Sequence, residues 1–106
     1  MEQIFIKKIV VLVEPSGPLN VGSVARLCEN FDVSELRLVA PRCDHLGEEC
    51  KRMAVQGKYL LEHAKLFPSL LEALYGCSRV VATCGRIDHG SIPLHSPDEA
   101  LPWLLE

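Results

Sequence analysis

Lys8-Ile-Val-Val-Leu-Val-Glu14, then Pro15-Ser-Gly-Pro18, then Leu19-Asn-Val-Gly-Ser-Val-Ala-Arg-Leu-Cys-Glu-Asn-Phe31, is the stretch whose reading decides the fold. Its first piece is short, β-branched and uninterrupted, the pattern of a strand buried on both faces of a parallel sheet. The proline–glycine run after it continues neither strand nor helix and reads as a turn. Beyond the turn, Val21, Val24, Ala25, Cys28 and Phe31 recur at helical spacing, which predicts an amphipathic helix with Asn20 as its N-cap. At about 100° per residue, Arg26 falls off that apolar face and points outward beside Ser23.

Working outward, Leu36-Arg-Leu-Val-Ala40 reads as a second strand closed by Pro41, and Glu48 to Ala54 as a short helix broken at Gln56-Gly57. Ala64 to Phe67 reads as a brief strand. Pro68 through Tyr75, ahead of Gly76, has the proline-first, glycine-last asymmetry of a helix. Arg79-Val-Val-Ala-Thr-Cys84 is the last strand-like run, and a short helix is expected from Pro97 or Asp98 to Leu105. Strands alternating with helices of this length imply βαβ units. The fold class expected is α/β, an open parallel sheet with flanking helices, as a single domain over residues 1–106.

Bulk composition narrows the function. Hydrophobic residues at 48% against 24% charged exclude a disordered tail. A net charge of −3 gives no global electrostatic footprint for nucleic acid, so any RNA-binding surface has to be local. The 5 cysteines are odd in number and form no CxxC, which argues against a secreted disulfide framework and for a reducing cytoplasm. The apolar run Ile9 to Val13 is too short to span a membrane, so no membrane partner is expected.

In open α/β sheets, sites form beyond the carboxyl ends of the strands. Two such ends here are polar and contain glycine. The first, Glu14 to Asn20 with the helix that follows, offers Glu14, Asn20, Ser23 and Arg26; the second offers Thr83, Gly85 and Arg86. An ordinary structural reading stands beside this one, with Asn20 only a cap, Gly22 only a packing residue and Arg26 a solvated partner of Glu29. Cys84, His89 and His95 match no standard zinc spacing, so no metal site is expected. Arg42, Lys51, Arg52 and Lys58 cluster loosely around the second loop and helix and could touch RNA phosphates, but Asp44, Glu48 and Glu49 dilute them, so a solvated mixed-charge face is the favoured reading. Trp103 reads as a core or interface anchor. The absence of a Gly-x-Gly-x-x-Gly or Walker-type loop after the first strand weighs against a flavodoxin-like or nucleotide-binding domain.

The order of residues adds a resemblance. Glu14-Pro-Ser-Gly-Pro-Leu-Asn-Val-Gly-Ser-Val-Ala-Arg26 is similar to the first motif of the SpoU-type (SPOUT class) methyltransferases, an Asn-x-Gly-Ser/Asn-x-x-Arg pattern after a strand ending in Glu. The likeness continues through Leu36-Arg-Leu-Val-Ala-Pro41, Ala54-Val-Gln-Gly57, Leu70-Leu-Glu-Ala-Leu74 and Val80-Val-Ala-Thr-Cys-Gly-Arg86, and is nearest to the TrmJ-like tRNA/rRNA enzymes. It implies S-adenosylmethionine-dependent methylation of a ribose 2′-hydroxyl in tRNA or rRNA by a homodimer. It also implies that Asn20 and Arg26 are catalytic, that Glu14, Ser23 and Arg86 bind substrate, and that Thr83 and Gly85 lie on the cofactor side. A guanidinium, with a pKa above about 12, is a costly general base. Stabilising a developing alkoxide is the easier role for Arg26. Family domains continue into a Phe-Gly-x-Glu loop and an Asn-Leu-Ser segment, which build the C-terminal knot and most of the adenosyl pocket. Neither motif occurs in these 106 residues. The chain is therefore expected to be the N-terminal part of a SPOUT/Rossmann-like domain, truncated and inactive alone. The competing expectation is a non-catalytic α/β module that binds RNA or another subunit.

Overall fold

Strand β1 (Ile9–Val13) pairs in parallel with β2 (Glu35–Val39), Ile9 opposite Glu35 and Val13 opposite Val39. A third parallel strand, β3 (Lys65–Phe67), runs from Lys65 opposite Arg37 to Phe67 opposite Val39, and the sheet order is β1-β2-β3. These elements come from a computed structural model that describes residues 6–83 and 95–106. Helix α1 (Pro18–Asn30) links β1 to β2; α2 (Glu48–Ala54), a 3-10 turn (Val55–Gly57) and α3 (Lys58–Glu62) link β2 to β3. Two further helices follow, α4 (Leu70–Ala73) and α5 (Pro97–Leu104). The expected α/β architecture, an open parallel sheet with flanking helices, is the one observed. The chain divides into two compact units, Met1–Tyr75 and Gly76–Glu106.

Side chains of a strand alternate between faces, and β2 divides its contacts accordingly. Leu36 and Leu38 are buried in one cluster with Val21, Ala25 and Cys28 of α1, Cys50 and Ala54 of α2, and Leu60 and Leu61 of α3. Val10 and Leu12, their register partners on β1, pack against the same cluster. Arg37 faces the opposite way. Its guanidinium donates to the carbonyls of Ala73 (2.7 Å) and Tyr75 (3.1 Å), pinning the end of α4 to the other side of the sheet, and it also pairs with Glu35.

Two glycines let α1 sit flush on its neighbours. A Cβ at Gly22 would lie 2.7 Å from Cβ of Met53 and run into the Cys50 carbonyl, and one at Gly57 would lie 2.8 Å from the carbonyl carbon of Ala25. Gly22 is thus a close-packing residue. The break after α2 comes at Val55, whose φ of +53° is unusual for a β-branched side chain.

Several expectations need correction. The uninterrupted apolar run of β1 suggested burial on both faces, but Val13 is 52% exposed and, among the described residues, β1 pairs with β2 alone, so the deepest burial belongs to β2. Phe31 lies past the last turn of α1 and is 66% exposed instead of completing its apolar face. The helix expected over Pro68 to Tyr75 shortens to α4, because Ser69, not Pro68, opens it: its hydroxyl accepts from the Glu72 amide. Residues 79–83 form no strand. A β-branched run favours a strand only where a ladder partner exists, and the ladders among the described residues all belong to β1, β2 and β3. Cys84 of that run lies outside the described residues. In the second unit, Arg79 donates to the Trp103 carbonyl and the Glu106 carboxylate, with its guanidinium 5.0 Å from the Trp103 ring centre.

Candidate functional site

The polar turn after β1 is held open by backbone geometry. Glu14 takes a left-handed φ of +48°, and its amide donates to the Val39 carbonyl at 2.7 Å, so the ladder with β2 ends there. Ala40, directly after β2, is also left-handed (φ +43°) and donates to the Phe67 carbonyl at 2.8 Å. Neighbouring parallel strands thus turn away at the same level of the sheet.

Helix α1 starts earlier than the sequence suggests. Gly17 is its N-cap and Pro18 its first residue, because proline's fixed φ suits that position and its missing amide loses nothing there. Asn20 is therefore not the cap. It sits in the first turn, with its amide nitrogen 3.1 Å from where a Gly17 Cβ would be. A larger residue at 17 would crowd it. Between the turn and α1 lies a recess of about 250 Å³ at the carboxyl end of β1, walled by Leu12, Glu14, Pro15, Ser16, Asn20 and Val24. This is below the roughly 300–1,000 Å³ of complete ligand sites.

The structure brings Glu14 and Asn20 together on this recess and keeps Arg26 apart from it. Arg26 lies six residues beyond Asn20, roughly 9 Å along the helix axis at 1.5 Å per residue. It is exposed, as its place off the apolar face required, and among the described residues its guanidinium has no hydrogen-bond or ion-pair partner, so the pairing with Glu29 does not form. Ser23 is half-buried, and its hydroxyl donates back to the Leu19 carbonyl at 2.9 Å, which commits its proton within α1. Thr83 is exposed and lies in the second unit. Gly85 and Arg86 lie outside the described residues, as does His89 of the rejected metal set, while His95 faces Glu99 at 3.5 Å.

The sequence reading named one neighbour of the site only as part of a solvated mixed-charge face. Arg42 is 28 positions from Glu14, yet its Nη2 lies 2.9 Å from Glu14 Oε1, and its backbone amide donates to the Pro15 carbonyl at 2.8 Å. The signal for it was parallel pairing. If β1 and β2 end level, the residues just past each strand must meet, and one of them here is acidic and one basic.

Comparison with known proteins identifies relatives of the chain. Residues 7–102 match the model of the SpoU rRNA Methylase family. A tRNA (cytidine/uridine/adenosine-2′-O-)-methyltransferase TrmJ of Pseudomonas aeruginosa is 38% identical over 97 residues, which is 92% of this chain and 37% of that protein. A tRNA (cytidine-2′-O-)-methyltransferase TrmJ of Methanocaldococcus jannaschii is 38% identical over 76 residues, 72% of this chain and 33% of that one. The crystal structure of TrmJ from Z. mobilis superposes with a TM-score of 0.81 at 31% identity, covering 94% of this chain and 44% of that one. The chain spans about a third of the length of these curated relatives. It belongs to the SpoU rRNA methylase family.

Proposed function

We propose that residues 1–106 belong to a single domain of an RNA ribose 2′-O-methyltransferase that acts on tRNA or rRNA in the cytoplasm, as a homodimer, with S-adenosylmethionine as methyl donor. The observation that carries this reading is the recess at the carboxyl end of β1, walled by Glu14 and Asn20, in a chain of the SpoU family. Relatives named as tRNA 2′-O-methyltransferases support the substrate class. Among the described residues, no helix is long and apolar enough to cross a membrane. The recess offers the polar groups of Glu14, Ser16 and Asn20 to a ribose, and the donor side is assigned to other residues.

The roles we assign follow from this division. The Asn20 amide, with both donor and acceptor, holds the ribose in the recess. Arg26 is exposed and, among the described residues, has no ion-pair partner, and so is available to the RNA backbone, where it stabilises charge as the 2′-oxygen loses its proton. Glu14 and Ser23 support the substrate from the turn and the helix. Thr83 and Gly85 remain our candidates for the donor side, and Arg86 for a further RNA contact.

The test is methyl transfer. A protein bearing these residues should move labelled methyl groups from S-adenosylmethionine to undermethylated tRNA or rRNA, giving alkali-resistant dinucleotides because the 2′-oxygen is blocked. Arg26→Ala should abolish transfer and leave the circular dichroism spectrum unchanged. Undiminished transfer by that variant removes Arg26 from the mechanism, and label found only on bases refutes ribose methylation.

A further inference from the structure

A ribose 2′-hydroxyl does not arrive alone. The 3′-phosphodiester hangs on the neighbouring carbon, so a recess that accepts the hydroxyl must accept a negative charge at its mouth. Glu14, on the wall of this recess, would repel that charge. Arg42 stands against Glu14 and has capacity left over. We propose that Arg42 is a phosphate-binding residue for the RNA substrate, and that Glu14 is the positioning residue that aims its guanidinium across the mouth of the β1–α1 recess. This rests on the ribose-methylation reading above.

Three features separate Arg42 from the other basic residues of the second loop and α2. It is anchored at both ends: its amide is fixed to the Pro15 carbonyl, and its Nη2 to Glu14, whose own amide is fixed to Val39. Its side chain is 66% exposed, and a guanidinium has five N–H donors, so the ion pair leaves several facing solvent. It also stands against two residues, Glu14 and Pro15, that wall the recess. Arg52, by contrast, lies 3.9 Å from Glu48 on the surface of α2, an ordinary pair one helical turn apart. A guanidinium held by a carboxylate on one edge presents its other edge as a planar fork, the geometry that phosphate oxygens match.

The experiment is a salt titration. Binding of a short fluorescein-labelled oligoribonucleotide to the chain is followed by anisotropy over a series of salt concentrations. Each phosphate contact adds about 0.7 to the slope of log affinity against log salt for a single strand. Arg42→Ala should lower the slope by about that amount and weaken binding about tenfold at low salt, while Arg42→Lys should keep the slope and recover part of the affinity. Lys7→Ala, which removes the same charge at the opposite end of the sheet, should leave the slope unchanged. The double variant Glu14→Gln with Arg42→Ala should stay weak. If it returns to the original slope and affinity, Arg42 serves only to neutralise Glu14 and the proposal is overturned. An unchanged slope in Arg42→Ala, with RNA binding intact, overturns the Arg42 assignment alone. Absence of salt-dependent RNA binding by the unsubstituted chain sinks the RNA reading and this proposal with it.

Discussion

The two ends of the sheet each carry a glutamate facing basic residues, and they use the arrangement differently. At the amino end, Glu35 is 12% exposed and meets Arg37, Lys65 at 3.1 Å and Lys7 at 3.8 Å. Burial alone would raise its pKa, but the hydrogen bonds and charges of Arg37 and Lys65 outweigh that and hold the carboxyl below its ordinary value. At the carboxyl end, Glu14 is 51% exposed and meets one guanidinium. The first arrangement locks a helix to a sheet. The second, solvated pair contributes at most about 1 kcal/mol and leaves guanidinium donors open to a ligand. Charge pairs of the same chemistry hold a fold together or remain available to a ligand according to how dry they are.

That contrast breaks most visibly at Arg37. Arg37→Ala should destabilise the protein by about 3 kcal/mol, because it leaves two carbonyls at the end of α4 without a donor and removes the most buried partner of Glu35. The midpoint of thermal or urea unfolding reads this directly, and a change below about 1 kcal/mol would mean the amino-end network is not structural. Glu35→Gln should cost less, about 1 kcal/mol at neutral pH, since Gln keeps an acceptor for Arg37. Its pH dependence is the sharper reading. A carboxyl with a depressed folded pKa contributes stability above its unfolded pKa and loses that contribution as pH falls through the folded value. The unsubstituted chain should therefore lose stability in acid more steeply than Glu35→Gln, and identical acid limbs would dissolve the distinction between the two ends. The smallest effect belongs to the carboxyl end: Arg42→Ala should move unfolding by less than about 1 kcal/mol while changing RNA binding.

Much of this was legible in the sequence. The β1–turn–α1 opening, the extents of β2 and α2, and the short β3 follow from alternation, helical spacing and punctuation by proline and glycine, all of which are local. What failed was long-range. The apolar run of β1 says that it wants to be covered, but not which strand takes the centre of the sheet. Only the pairing register gives that place to β2. Nothing local to Arg37 signals that the end of α4 supplies carbonyls for it. Asn20 was misread as a cap because both Asn20 and Pro18 are good helix-start signals, and proline at the first helical position took precedence. Glu14 and Asn20 were legible as a pair because a single turn joins them. Arg42 was not, because the sheet and not the chain brings it to Glu14.

The seam at Gly22 and Gly57 seats the helix that carries the site. Backbone approaches backbone there, with Asn20 only two residues before Gly22 on α1. A single added methyl at either glycine pushes α1 off that seat and shifts Asn20 with it. Loss-of-function alleles of this chain should therefore gather at these two packing positions, where even the mildest replacement in the genetic code misaligns Asn20.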